Sequence, residues 1–450
     1  MIKKFFKYNV QLISIDLLVV LATFVVNILI APILIQEYGY TVGIIASGNL
    51  FLGVGLFFGS FFTRYILQFK INYFRFFKRI IMMLFILQIT YVVHATFNQS
   101  IDTWWYEAIY ILSRLIEGAL GGSLIFLIDF LIGYKLIKNK YRGTLQGSVT
   151  SGRNAIKFLA PIIGGLLITA TGYSLTLYLI SMLMYVSIYM YMVSRGKRMF
   201  RSYYKYMCRK FKPPKFKLKK IKIKAMFDFG YLVNLYEENK PQKRIYLIHS
   251  LSANALRPIY DLYILLAFTM VLDFSILEAA FLISMMVLSI SMSILLSFFY
   301  DRLYSYVGKY KPSLQLAPYW FGQLLFIAIF YLMLKGIIQV PDEHRMFIYA
   351  ALMFYLGIVR SFHQDYQHRS LFVFARKEGQ LANFKGALSI VSSLGLVIGY
   401  ALFSTVYYFY SFDGVFIAVS IMAILFVPYY FKVLIRGIFN ARTKKRDFPC

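Results

Sequence analysis

Apolar stretches close to the length of a bilayer-spanning helix recur along the chain, separated by short loops that alternate between rich and poor in Lys and Arg. A helix rises about 1.5 Å per residue, so a hydrocarbon core of about 30 Å takes about 20 mostly apolar residues. The pattern predicts membrane helices over residues 10–35, 42–63, 79–97, 105–133, 146–170, 174–194, 245–271, 275–299, 313–335, 346–370, 384–408 and 413–435. The basic loops hold Arg64, Lys70, Arg75, Lys78 and Arg79; Lys135, Lys138, Lys140 and Arg142; Arg302, Lys309 and Lys311; and Arg376, Lys377 and Lys385. The opposite loops carry Glu37, Asp102, Asp273, Asp342, Glu343 and Asp413. By the positive-inside rule the basic loops are cytoplasmic, and both termini then face the cytoplasm of a bacterial inner membrane.

Composition agrees with this reading. The 450 residues are 60% hydrophobic, 19% aromatic and only 15% charged, a balance suited to lipid rather than water. The formal net charge of +30 sits in short loops beside apolar spans, where topology demands it, so it is no sign of nucleic acid. Cys208 and Cys450 both fall in segments placed inside the cell, where thiols stay reduced. No disulfide, metal site or cofactor is expected. The basic N-terminus with its long apolar run reads as a first membrane helix rather than a cleaved signal.

A hydrophilic segment from Arg195 to Arg244 divides six predicted spans from six. Through Lys224 it is dense in Lys and Arg and holds no Asp or Glu, which suits a cytoplasmic linker lying on anionic lipid headgroups at residues 195–224. The expected organisation is a bundle over residues 1–194, the linker over 195–244, a second bundle over 245–437 and a basic tail over 438–450. An internal repeat supports it. Gly59 to Arg64 closes the second span as Ser297 to Arg302 closes the eighth, and one constant offset aligns Asp129 with Asp365, Gly143 with Gly379 and Leu145 with Leu381.

In the fourth span Arg114, Glu117, Gly118 and Gly122 resemble the R-x-x-Q-G-x-G pattern of the major facilitator superfamily, with Glu for Gln and the second glycine late. Ala160, Pro161, Gly164 and Gly165 resemble the G-P-x-x-G-G pattern of its exporter branches, with Ala for the first glycine. The G-x-x-x-D-R loop motif is imperfect in both halves, with Thr63 in place of Asp and Ser297 in place of Gly, while Asp301, Arg64 and Arg302 remain. The resemblance implies an all-α, twelve-helix fold of two pseudo-symmetric six-helix bundles, acting as a secondary transporter and a monomer. Arg64 with Asp129, and Asp301 and Arg302 with Asp365, are expected to latch the cytoplasmic gate.

Charges deep in the spans point to the cargo. A charge at the bilayer centre costs about 2.5–3.5 kcal/mol even on the lenient insertion scale, so such residues face a cavity or a partner. The basic ones are Arg114, Arg153, Lys157, Arg257 and Arg360, and the acidic ones Asp16, Glu117 and Asp261. Arg153, Lys157 and Pro161 recur every four residues and share one helix face. The cationic surplus predicts a central cavity of positive potential that takes a carboxylate- or phosphate-bearing solute, such as a siderophore or organic acid. Coupling to protons is expected through Glu117, Asp16 or Asp261: a Glu117 paired with Lys157 or Arg153 would release a cation when protonated. Proton-antiport efflux of drugs or amphiphiles is the alternative. A membrane enzyme such as an acyltransferase, using one of His94, His249, His363 or His368, is the reading from another class. The repeated halves and short loops argue against an enzyme.

Overall fold

The computed structural model describes residues 2–27, 30–36, 38–67, 69, 72–97, 103–136, 142–171, 175–196, 241–291, 315–374 and 378–446. Side chains are described for most of these. The linker from residue 197 to 240, both cysteines, and the gate residues Asp301 and Arg302 lie outside the described residues.

Among the described residues the chain is helical, with no strand. The helices are α1 (Ile2–Asn27), α2 (Ile30–Gln36), α3 (Val42–Ile66), α4 (Tyr73–Phe97), α5 (Thr103–Leu136), α6 (Arg142–Thr171) and α7 (Leu175–Tyr191). After the linker come α8 (Pro241–Ala255), α9 (Ile264–Met270), α10 (Ile276–Ile290), α11 (Leu316–Leu334), α12 (Arg345–Phe374) and α13 (Glu378–Arg446). Seven described helices are long and apolar enough to cross a membrane, which makes this a multi-pass membrane architecture. Met83, Leu183, Phe347 and Leu425 stand exposed on the outside, where lipid would cover them.

Local chemistry sets the turns. Gly39 takes a positive φ of 67° ahead of α3, and the Thr41 hydroxyl accepts a hydrogen bond from the Ile44 N–H at 3.3 Å to cap that helix. Ser275 and Glu278 form a reciprocal capping box at the start of α10. A straight helix as long as α13, 69 residues, would run about 100 Å. It breaks instead at Ser411, whose φ of 54° and ψ of −152° reverse the chain within the predicted loop between the last two spans. After the break, Asp413 meets Lys335 at one end of α11 while Tyr430 stacks on Trp320 near the other, so 412–446 runs antiparallel to α11.

The predicted span over 245–271 is not one helix. Pro258 has no N–H to give and interrupts the ladder, and a π-helical turn, Ile259–Tyr263, separates α8 from α9. That interruption carries Arg257 and Asp261.

Glycine decides the closest packings. A Cβ at Gly55 would lie 2.2 Å from the Leu115 carbonyl oxygen, and one at Gly118 would lie 2.1 Å from that of Leu52. The strip anticipated at Gly118 and Gly122 therefore lets α3 and α5 touch backbone to backbone. Gly357 does the same for α12 against α10, as do Gly395 and Gly399 for α13 against α8. Across the linker divide, α3 packs on α13 and α6 on α10.

Gly118→Val should destabilise the protein by about 3 kcal/mol through overpacking, whereas Gly121→Val, with nothing within 4 Å of the added Cβ, should be close to neutral. Thermal unfolding of the two variants in detergent checks this; equal midpoints would contradict the close α3–α5 contact.

Candidate functional site

Once folded, the deep charges fall into three groups with different degrees of pairing. The first is closed. Arg114 on α5 donates to the Glu117 carboxylate at 2.8 Å and to the Asn49 side-chain oxygen of α3 at 2.7 Å, while the Tyr91 hydroxyl of α4 donates to Glu117 at 2.9 Å. Arg114 is only 2% exposed. Removing one partner of such a pair costs about 3–5 kcal/mol, because the other charge is left buried and uncompensated. The expectation that Arg114 is a free cation for substrate is therefore corrected: its charge is committed to tying α3, α4 and α5 together.

The second group bridges helices at the end of the molecule where α5 finishes. Arg153 of α6 lies 2.6 Å from Asp16 of α1 and 2.7 Å from Asp129 of α5, and Lys385 of α13 lies 2.8 Å from the other oxygen of Asp129. This corrects two expectations. Arg153 pairs with Asp16 and Asp129 rather than with Glu117, and Asp129 takes Arg153 and Lys385 rather than Arg64 as partners. Arg64 is buried where α3 meets α13: a Cβ at Gly386 would fall 2.8 Å from its side chain. Nearby, the Asn154 amide donates to Gln364 at 3.1 Å and the Ser151 hydroxyl to the Ser291 carbonyl at 3.3 Å, joining α6 to α12 and to the end of α10. Asp365 is buried and accepts from the Gln315 amide at 2.5 Å. Lys385 and Gln315 were absent from the sequence-level candidates: a lysine in a basic loop looks like any topology determinant until its partner is seen.

The third group is open and mixed. Arg257 donates to Asp261 at 2.6 Å across one helical turn, and the two side chains keep 43% and 33% of their surface. An open i,i+4 pair of this kind contributes about 0.5 kcal/mol. Lys157 of α6, one turn beyond Arg153, lies within electrostatic reach of Arg257, Asp261 and Arg360. Arg360 of α12 rests over the Tyr260 ring at 4.6 Å and reaches the Met286 sulfur at 3.5 Å. Among the described residues no carboxylate pairs with Arg360. Tyr260 is steadied by its hydroxyl, which bonds the Gln323 side chain. Tyr400 of α13 is in reach of Arg257, Asp261 and Arg114, linking the closed group to the open one. Neither tyrosine is distinguishable by sequence in a chain with 38 of them.

In comparisons with known proteins, no family model and no curated sequence matches the chain. Solved structures do. The nucleoside transporter NupG matches at 14% identity with a TM-score of 0.64, covering 94% of this chain and 98% of its own. The human organic anion transporter MFSD10 (TETRAN) matches at 14% identity with a TM-score of 0.57, covering 92% and 97%. The chain shares the fold of these two transporters over nearly its whole length.

Arg114→Met should strand Glu117 and cost about 3–5 kcal/mol, and adding Glu117→Gln should recover most of that loss. Detergent thermal midpoints of the single and double variants test the pairing. Additive losses would show that the two residues do not act as a unit.

Proposed function

We propose that this chain is a major facilitator superfamily secondary transporter that carries a small anionic solute by alternating access. In this reading it makes twelve spans as two six-helix bundles, with the basic linker on the cytoplasmic side. The observation that carries the reading is Arg360. It is a cation deep in a membrane helix whose described contacts are an aromatic face and a sulfur, and Lys157 and Arg257 lie in the same neighbourhood with Asp261 as their carboxylate. A guanidinium held that way is aimed at a carboxylate or phosphate that arrives from water. The organic anion transported by one structural neighbour fits this chemistry.

The substrate site expected at Arg114, Arg153, Lys157, Arg257 and Arg360 narrows accordingly to Lys157, Arg257 and Arg360. Asp261 becomes the favoured carboxylate for proton coupling, since Glu117 and Asp16 already bond to arginines that stabilise the scaffold. Protonating Asp261 would free Arg257 for the anion, so that solute and proton bind together and leave together.

Asp129 to Lys385, with Asn154 to Gln364 and Ser151 to Ser291, form the inner gate in this reading. They tie helices of the first bundle to helices of the second at the cytoplasmic end. Rocking the bundles inward breaks them, and their combined strength biases the two-state equilibrium toward the state closed to the cytoplasm.

In proteoliposomes screened with carboxylate and phosphate solutes at two pH values, Arg360→Ala should raise the KM of the accepted solute at least about tenfold, the worth of one charge-assisted hydrogen bond. Asp261→Asn should retain exchange but lose its pH dependence. An Arg360→Ala variant that transports normally would remove the anion site. Lys385→Ala should weaken the gate, so that Ser151→Cys in that background is alkylated several-fold faster from the cytoplasmic side by an impermeant maleimide; an unchanged rate would exclude the latch.

A further inference from the structure

Away from these charges, α8, α11 and α12 meet at two histidines. His249 of α8 is fully buried. Its Nδ1 accepts the Trp320 indole N–H of α11 at 3.3 Å, and its Nε2 lies 2.8 Å from Nδ1 of His363 on α12. The titratable groups facing His249 are the Tyr319 phenol of α11, Tyr366 of α12, Tyr430 of α13 and the His363 imidazole. Tyr246 stands against Tyr366 a turn before His249 on its own helix, and Ser250 and Ser252 follow on that helix.

An indole N–H can only donate, so Nδ1 of His249 must present a lone pair. Neutral His249 then carries its single proton on Nε2 and gives that bond to His363, whose Nδ1 must accept. The arrangement is a directed chain from Trp320 through His249 to His363. A further proton has no neutral place in it. On Nδ1 of His249 it meets the indole N–H; on Nδ1 of His363 it meets the N–H of His249, unless His249 switches tautomer and again confronts Trp320. Each route breaks one bond of the chain and separates two of the three helices.

We propose that the His249 and His363 pair is a proton-binding site, and that its protonation shifts α12 relative to α8 and α11. The inference deepens the transport reading and rests on it for its consequence. Arg360 lies one turn before His363 on α12, Tyr319 stacks beside His363 within electrostatic reach of Arg360, and Gln364 holds Asn154 of α6. A shift of α12 therefore moves the solute-facing arginine and a gate contact together. The histidine pair sets the position of Arg360.

The test uses the purified full-length chain in detergent with Trp104→Phe and Trp105→Phe, leaving Trp320 as the reporter, since protonated imidazole quenches a neighbouring indole. Between about pH 9 and about pH 4 the Trp320 emission should fall in a single step, as one imidazole gains its proton. His363→Asn, which keeps an acceptor but no titratable ring, should abolish the step with gel-filtration behaviour unchanged. In proteoliposomes the same variant should keep exchange at symmetric pH and lose accumulation driven by a pH gradient. A flat Trp320 emission in the parent chain, or a step that survives in His363→Asn, would overturn the proposal. An intact Trp320 step in a parent that moves no anionic solute would uphold the proton site and overturn the transport reading instead.

Discussion

A charge placed within a bilayer's thickness of apolar side chains must be met by an opposite charge, an aromatic face or water. The architecture of this chain is organised around how that demand is met at each depth. Where both partners are sealed, as with Arg114 and Glu117, the pair acts as a structural bolt across α3, α4 and α5. Where partners come from helices on both sides of the linker, as with Asp129 and Lys385, the pair joins the two halves of the chain. Where pairing is loose and open, as with Arg257 and Asp261, both side chains keep part of their surface.

Magnitudes separate these roles better than position does. Opening the sealed pair would cost several kcal/mol, more than a weakly bound metabolite returns, whereas the open pair yields for a fraction of one. The helix break at Pro258 lies at the open pair: α8 ends before it, and the π turn that follows carries Asp261.

Glycine contacts bring α3 onto α5, α12 onto α10 and α13 onto α8. Contacts across the linker divide combine the close packing of α3 on α13 and of α6 on α10 with polar links, among them an ion pair, an amide pair and one hydroxyl to a carbonyl. Polar contacts can be exchanged for water without loss of packing, whereas glycine-mediated backbone contact cannot.

Sequence alone established the class of the molecule. Hydrophobic run length, the alternation of basic and acidic loops and the repeat that aligns Asp129 with Asp365 are local or periodic features, and each follows from what a bilayer tolerates. The described residues are helical and share the fold of solved transporters, and Gly118 and Gly122 do face a neighbouring helix. Pairing was the part that residue order could not supply. Arg153 finds Asp16, 137 positions away, and His249 finds His363, 114 positions away. Helical periodicity gives the face of a residue but not which helix lies opposite, so Arg114, Arg153 and Arg360 look equivalent in the sequence. Only tertiary packing sealed the first in a buried pair, set the second between two carboxylates and left the third with no described carboxylate partner, because the cost of a buried charge depends on the group across the interface.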